Sequence, residues 1–428
     1  MLVPELARLL CIDRASSRRC GVMGYWTYYE DRPHDCSATD EGLGNVAESR
    51  EAFSALGYTK AEVELLSSSG YLALPKYRVL IDRYYGGPLQ SWNLMSRFEI
   101  SRTAIDKVLA QQPLRQRPVP VYSARSADEV RRIAAGLTAP ARRRLVFRGQ
   151  ERHYRTIRKL PNPWYLNPVL GETSLLPSLW RRVLSTCPTC VSDVHALSLL
   201  DWSIILYRPF DTDAINAAIV ASGEHPAFMT MSDMADHADP MVREFGRFRL
   251  ALGMDHNLCL ATALNTLLQH YGLLAPVLDV TTDLDVAMFF ATHRLSTEDS
   301  LAHYSYVGSN GDESTIYVLW NDPREMEELP RDVVLQKQAA LRPERQGCVV
   351  VRSGPHALNL AADFLLAVIK LEGPGPWHCG QEVGWLFPQS DEDMFLRALK
   401  SHRCAARHLT DFGMSAANAT GRGTEGER

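Results

Sequence analysis

The 428-residue sequence has little of what would announce a common chemistry. It holds no apolar run near the roughly 18 residues needed to span a bilayer. The opening, MLVPELARLLCIDR, carries Glu5 and lacks a charged segment followed by an adequate apolar core, so no secretory signal is expected. The nine cysteines are odd in number and scattered singly, which suits reduced thiols and a cytoplasmic setting. Cys187-Pro-Thr-Cys190 is the one CxxC, and no second pair follows at zinc-site spacing. With Cys379 and His378 far away in sequence, it reads as two loop cysteines and no metal is expected. There is no glycine-rich phosphate loop, no Gly-x-Ser-x-Gly elbow and no His-Glu-x-x-His, which leaves P-loop and hydrolase readings without support. Net charge is small too. Lys and Arg number 46 against 50 Asp and Glu, a formal −4, so bulk charge names no partner.

What is present is a globular composition, 46% hydrophobic and 22% charged, on a chain long enough for two domains. Charge is unevenly spread. From Arg142 to Arg182 ten Lys and Arg residues face only Glu151 and Glu172, so a ligand held there is expected to be anionic, unless the segment is a plain solvated loop.

Residues 1–117 read as a helical N-terminal region with aromatic mass at Trp26, Tyr28, Tyr29, Tyr84, Tyr85 and Trp92. Thr59 and Glu62 form a capping-box pair ahead of an apolar run. The proline-broken QQPLRQRPVP marks the boundary to a main domain over 118–405, and 406–428 reads as a partly disordered tail. In the main domain Ser126 and Glu129 open a helix with Val130, Ile133, Ala134 and Leu137 on one face. LVFRGQ begins as a short buried strand. LCLATALNTLLQHYG is a helix with Leu260, Leu264, Leu267 and Tyr271 in one stripe and Gly272 as its stop. VLDVTT is a strand by its β-branched content and feeds a helix, DLDVAMFFATHR, with Thr282 and Asp285 as the expected cap pair. STIYVLW and CVVVR are further strands. The balance is α+β, with strands too dispersed for a doubly wound sheet, and no internal repeat.

Three stretches are out of keeping with packing alone: Phe147-Arg148-Gly149-Gln150, LLQHYGLLAPVLDVTTDLDVAMFFA and RPERQGCVV. Together with SLLPSLWRR and GWLFPQSDED, they resemble the FRG domain family, named for its Phe-Arg-Gly signature, over about residues 120–400. Leu274-Ala275-Pro276 departs from the proline-threonine-arginine that the family tends to carry there. The order of parts also resembles, more distantly, the arginine-serine-glutamate layout of ADP-ribosyltransferases. That likeness implies a split sheet and NAD as substrate. Arg148 would hold the diphosphate, and Gly149, Gln150, His270, Tyr271, Asp279, Thr281 and Thr282 would line the cofactor site. Gln346 or Glu344 would lie near the scissile bond, although Glu344-Arg345-Gln346 reverses the order found in transferases that modify arginine.

The chemistry of such a set is coherent. Cleaving a nicotinamide–ribose bond builds positive charge on the ribose, which acceptor groups can stabilise. A diphosphate favours the forked cation of arginine over lysine. A structural reading stands beside each of these roles. Arg148 can tie Asp279 across two strands, an acid otherwise costly to bury. His270 can cap helix carbonyls, Thr281 and Thr282 can cap the next helix, and Gln346 can be a turn residue. Three functions follow as expectations: NAD-dependent transfer of ADP-ribose to a macromolecule, a non-catalytic nucleotide- or nucleic-acid-binding module using the same basic cleft, or an interaction or regulatory protein. No membrane partner is expected.

Overall fold

The structure is a computed structural model that describes residues 46–401. Short segments are excepted: 75–78, 83–86, 89–101, 113–118, 141–142, 164, 179–180, 182–205, 252–261, 274, 276, 299–300, 310–312, 323–325, 329–332, 353–358, 374, 376 and 378. The boundary expected at 117–118, the tail 406–428, the Cys187/Cys190 pair and the early tryptophans lie outside the described residues.

Three helices, α1 (Val46–Ala55), α2 (Lys60–Ser68) and α3 (Arg102–Leu109), form the described N-terminal part with a small sheet. The Thr59/Glu62 capping box opens α2 as its sequence requires, side chain to backbone in both directions. The sheet was not anticipated by the helical reading. It consists of β1 (Tyr71–Leu74), β2 (Val79–Asp82) and β3 (Gly87–Pro88), paired antiparallel. Phe53, Leu66, Tyr71, Ile105 and Val108 close one small core, which also takes in Leu160 from beyond the expected boundary.

The main sheet has seven strands: β4 (Val121–Ala124), β5 (Leu145–Gln150), β8 (Val277–Thr281), β11 (Thr315–Trp320), β12 (Met326–Glu328), β13 (Cys348–Arg352) and β14 (Leu365–Leu371). The numbering leaves room for two short hairpins, β6 (Leu166–Asn167) with β7 (Gly171–Glu172), and β9 (His293–Glu298) with β10 (Leu301–Tyr306). The spatial order is β12-β13-β8-β5-β11-β14-β4, antiparallel throughout except for the parallel β14–β4 pair. This mixed sheet with its helices is α+β. No described helix is long and apolar enough to cross a membrane.

Period-two alternation explains why both faces are covered. On β11, Ile316 and Val318 point to one core while Tyr317 and Leu319 point to the other. On β13, Val349 and Val351 join the second of these, and Cys348 and Val350 face a helical layer. That layer contains α5 (Thr212–Ala221), α6 (Met231–Ala235), α7 (Pro240–Ala251) and α8 (Thr262–His270). The first face packs α4 (Ala127–Gly136) and α9 (Leu284–Thr292). The remaining helices are α10 (Val333–Gln338), α11 (Leu341–Arg345), α12 (Leu360–Asp363), α13 (Val383–Leu386) and α14 (Met394–Ser401).

Two features of this sheet create the site. β5 and β8 share one paired register, Phe147 with Thr281, and have no further ladder pairs. Helix α9 then lies directly on β5. A Cβ at Gly149 would come within 1.7 Å of the Ala287 carbonyl oxygen and 2.8 Å of the Ala291 nitrogen, so only glycine allows the approach. The resemblance placed Gly149 in the lining of a cofactor site; its first physical reason is this helix. The cap of α9 also differs from expectation. Asp283, not Thr282, accepts the backbone N–H groups of Asp285 and Val286, because Thr281 and Thr282 are still engaged with the chain entering β13.

Candidate functional site

Where β5 and β8 part, a cavity of about 450 Å³ opens. Arg148, Gly149 and Gln150 line it from β5, Asp279 and Thr281 from β8, His270 from the end of α8, and Gln346 from the turn before β13. Strands β5, β8 and β13 are adjacent, so residues separated by up to 198 positions in sequence meet there.

Arg148 spans the gap left by the missing ladder bonds. One guanidinium nitrogen, Nη1, donates both to the Asp279 backbone carbonyl and to its carboxylate, the latter at 2.9 Å. Gln269 donates to the same carboxylate oxygen at 3.1 Å and accepts from the Ser178 hydroxyl at 2.8 Å. Burial alone would raise the Asp279 carboxyl. The charge of Arg148 and its hydrogen bonds outweigh it and hold the group below the usual carboxylate range. Asp279 is thus ionised and Arg148 is its counter-ion. Two polar atoms of the wall, Arg148 Nε and Gln150 Oε1, are buried without a hydrogen-bond partner among the described residues.

His270 is buried, and its Nε2 lies 2.9 Å from the Cys348 thiol. Desolvation pushes the imidazole pKa down and the Cys348 thiol well up, so both groups are neutral at pH 7 and the sulfur is no nucleophile. Gln346 is also buried, and its amide nitrogen donates to the Leu386 carbonyl at 3.0 Å. Its backbone carbonyl accepts from Thr281 Oγ1 at 2.7 Å, while the same hydroxyl accepts from the Asp283 N–H at 3.0 Å. The Thr281 side chain therefore has both its donor and one acceptor site committed to the backbone.

Three residues placed in the site from sequence do not line the cavity. Tyr271 is fully buried on the far side of its helix, donates to Asp393, and packs edge-on to Phe395 with ring centroids 5.0 Å apart. It followed the apolar stripe of α8 and is core. Thr282 is exposed, and its backbone N–H bonds Gly347. Glu344 is exposed on α11, one residue short of the helix end, while Gln346 lies past it and turns inward.

Sequence reasoning passed over other parts of the wall. Arg181 lies in SLLPSLWRR, noted for its resemblance but not for its charge at the site. Tyr154 lies beneath it, with the Arg181 guanidinium carbon 5.4 Å from the ring centroid. On another side Tyr304 stacks on Phe387 at 4.5 Å, with Phe290 edge-on to Tyr304 at 6.0 Å. These aromatics are scattered over more than 200 residues, and no local pattern links them. Of the ten basic residues between Arg142 and Arg182, several are spent on structure. Arg143 pairs with Asp322, and Arg158 with Asp82 and Glu172.

The family model of the FRG domain matches residues 227–300. The chain is FRG domain-containing. The match covers α6 to α8, β8, α9 and β9, and so includes Gln269, His270, Asp279 and Thr281 of the cavity. The Phe147-Arg148-Gly149 strand and the Gln346 turn lie outside the matched segment of the FRG domain and join it by strand pairing. No curated protein and no solved structure matches the chain.

Proposed function

We propose that this cavity binds NAD and that the domain transfers ADP-ribose from it to a macromolecular acceptor. The observation that carries the reading is the convergence of Arg148 and Thr281 from two adjacent strands, and Gln346 from the turn leading into a third, on one cavity. That is the order of parts in the ADP-ribosyltransferase layout, an aromatic-arginine strand, a threonine strand running into a helix, and the start of a further strand. The volume falls within the roughly 300–1,000 Å³ of small-molecule sites. Arginine charge suits a diphosphate, the unpartnered Gln150 Oε1 suits a hydroxyl or amide donor, and the Phe290, Tyr304 and Phe387 group suits a planar ring.

In the reaction the nicotinamide–ribose bond breaks and its electron pair leaves with nicotinamide. An acceptor nucleophile attacks the ribose carbon and gives up its proton. Positive charge on the ribose is met by the Asp279 carboxylate and by the acceptor oxygen of Gln346.

A second reading, a nucleotide-binding module without turnover, is favoured by one feature. The third position is the neutral Gln346, its amide nitrogen held by Leu386, and Glu344 is outside the cavity. Incubation with labelled NAD and mixed protein, DNA and RNA distinguishes the two. Label transfer with nicotinamide release is expected. Saturable NAD binding without nicotinamide release would select the second reading, and absence of NAD binding would refute both.

A further inference from the structure

Arg148 and Arg181 share one cavity but are in different electrostatic states. Arg148 is neutralised by Asp279 at 2.9 Å. Arg181 has no ion-paired or hydrogen-bonded partner for its guanidinium among the described residues; its contact is the Tyr154 face. A second arginine, Arg152, covers that same ring from 5.1 Å. Burial and the neighbouring Arg148 charge together push the Arg181 pKa down, which is the signature of a cation held where it is unfavourable.

We infer that Arg181, supported on Tyr154, is the residue that grips the phosphate groups of the ligand, and that Arg148 is a positioning residue that fixes Asp279 and the β5–β8 gap. This deepens the NAD reading and rests on it only for the identity of the ligand. The recognised chemistry is a diphosphate. A guanidinium with no donor committed among the described residues offers a two-pronged contact, whereas Arg148 has Nη1 already occupied twice. A bound anion would also relieve the repulsion between the two arginines, so the apo cavity is arranged to gain from occupancy. Among the site's charges Asp279 pairs directly with Arg148 and acts on Arg181 only from beyond ion-pair distance, and Glu151 is held by Arg294 at 2.6 Å, which leaves Arg181 as the charge of the described wall without a directly paired acid among the described residues.

The test uses the full chain and three probes, inorganic pyrophosphate, ADP-ribose and NAD, titrated into wild type, Arg181→Met and Arg181→Lys, with thermal melts of each apo protein. Arg181→Met keeps the length of the side chain and removes its charge. It is expected to melt above wild type while losing about tenfold or more in pyrophosphate and ADP-ribose affinity. Arg181→Lys is expected to fold and to bind between the two, which keeps the test valid if the methionine variant misfolds. Loss of pyrophosphate binding with a raised melting point supports the inference even where NAD itself does not bind, in which case the NAD reading alone falls. Unchanged affinities in both variants, a lowered melting point in a folded Arg181→Met, or no binding of any of the three probes by wild type would overturn it.

Discussion

Removing Arg148 is the most informative single perturbation, because the structure makes it a counter-ion before it is anything else. In Arg148→Ala the Asp279 carboxylate keeps one hydrogen bond, from Gln269 at 3.1 Å, and loses its charge partner and the clamp across the β5–β8 gap. Breaking a buried pair from one side costs about 3–5 kcal/mol. The side chains here are 12% and 23% exposed, so the low end, about 3 kcal/mol, is expected. The pH dependence has a definite sign. In the native chain Asp279 lies below its ordinary value, so its contribution is present at neutral pH and is lost only as pH falls below about 4. Without Arg148, desolvation dominates and the carboxyl rises above its ordinary value. The variant's deficit is then largest near pH 7 and narrows as acid protonates Asp279. Urea titrations at pH 7 and pH 5 of wild type, Arg148→Ala, Asp279→Ala and the double variant measure both effects. A coupling energy under about 0.5 kcal/mol in that cycle would refute the counter-ion role, since such a value is indistinguishable from independent sites.

Two further outcomes follow from packing. Gly149→Ala forces a methyl into the Ala287 carbonyl and should cost more than the roughly 1–3 kcal/mol of ordinary overpacking, read as a lowered urea midpoint with loss of any ligand binding; a stability equal to wild type would show that α9 does not sit on β5. Arg158→Ala removes a cation bonded to both Asp82 and Glu172, whose side chains are 2% and 1% exposed. It should cost about 3–5 kcal/mol and expose the β1–β3 sheet to limited proteolysis, so an unchanged digestion pattern would contradict the pairing.

Much of the local structure was legible because its causes are local. Thr59 with Glu62 and Ser126 with Glu129 open helices where the capping rule places them, the α8 stripe buries Leu267 and Tyr271, and Gly272 stops that helix with φ of +81°. The β-branched VLDVTT is a strand, and the Arg148–Asp279 pairing was one of two readings that chemistry alone allowed. The small β1–β3 sheet was missed because its strands are short and interrupted, with partners set by contact more than by pattern. Tyr271 was over-read for the opposite reason: a residue type with chemical potential was credited to the site when its helix periodicity already placed it in the core.

The sequence by itself determined which residues could carry charge, cap helices and line strands, since those properties belong to short windows of chain. Only the tertiary structure decided which of them meet. That β5 and β8 part after a single pair, that Ala287 leaves room for glycine alone, and that Gln346 turns inward while Glu344 faces out depend on strand order and helix docking across nearly 200 residues. The lone charge of Arg181 is the plainest case. Its sequence neighbours say only that it is basic, and its significance arises because folding brings an acid to ion-pair distance of Arg148 and, among the described residues, none that close to Arg181.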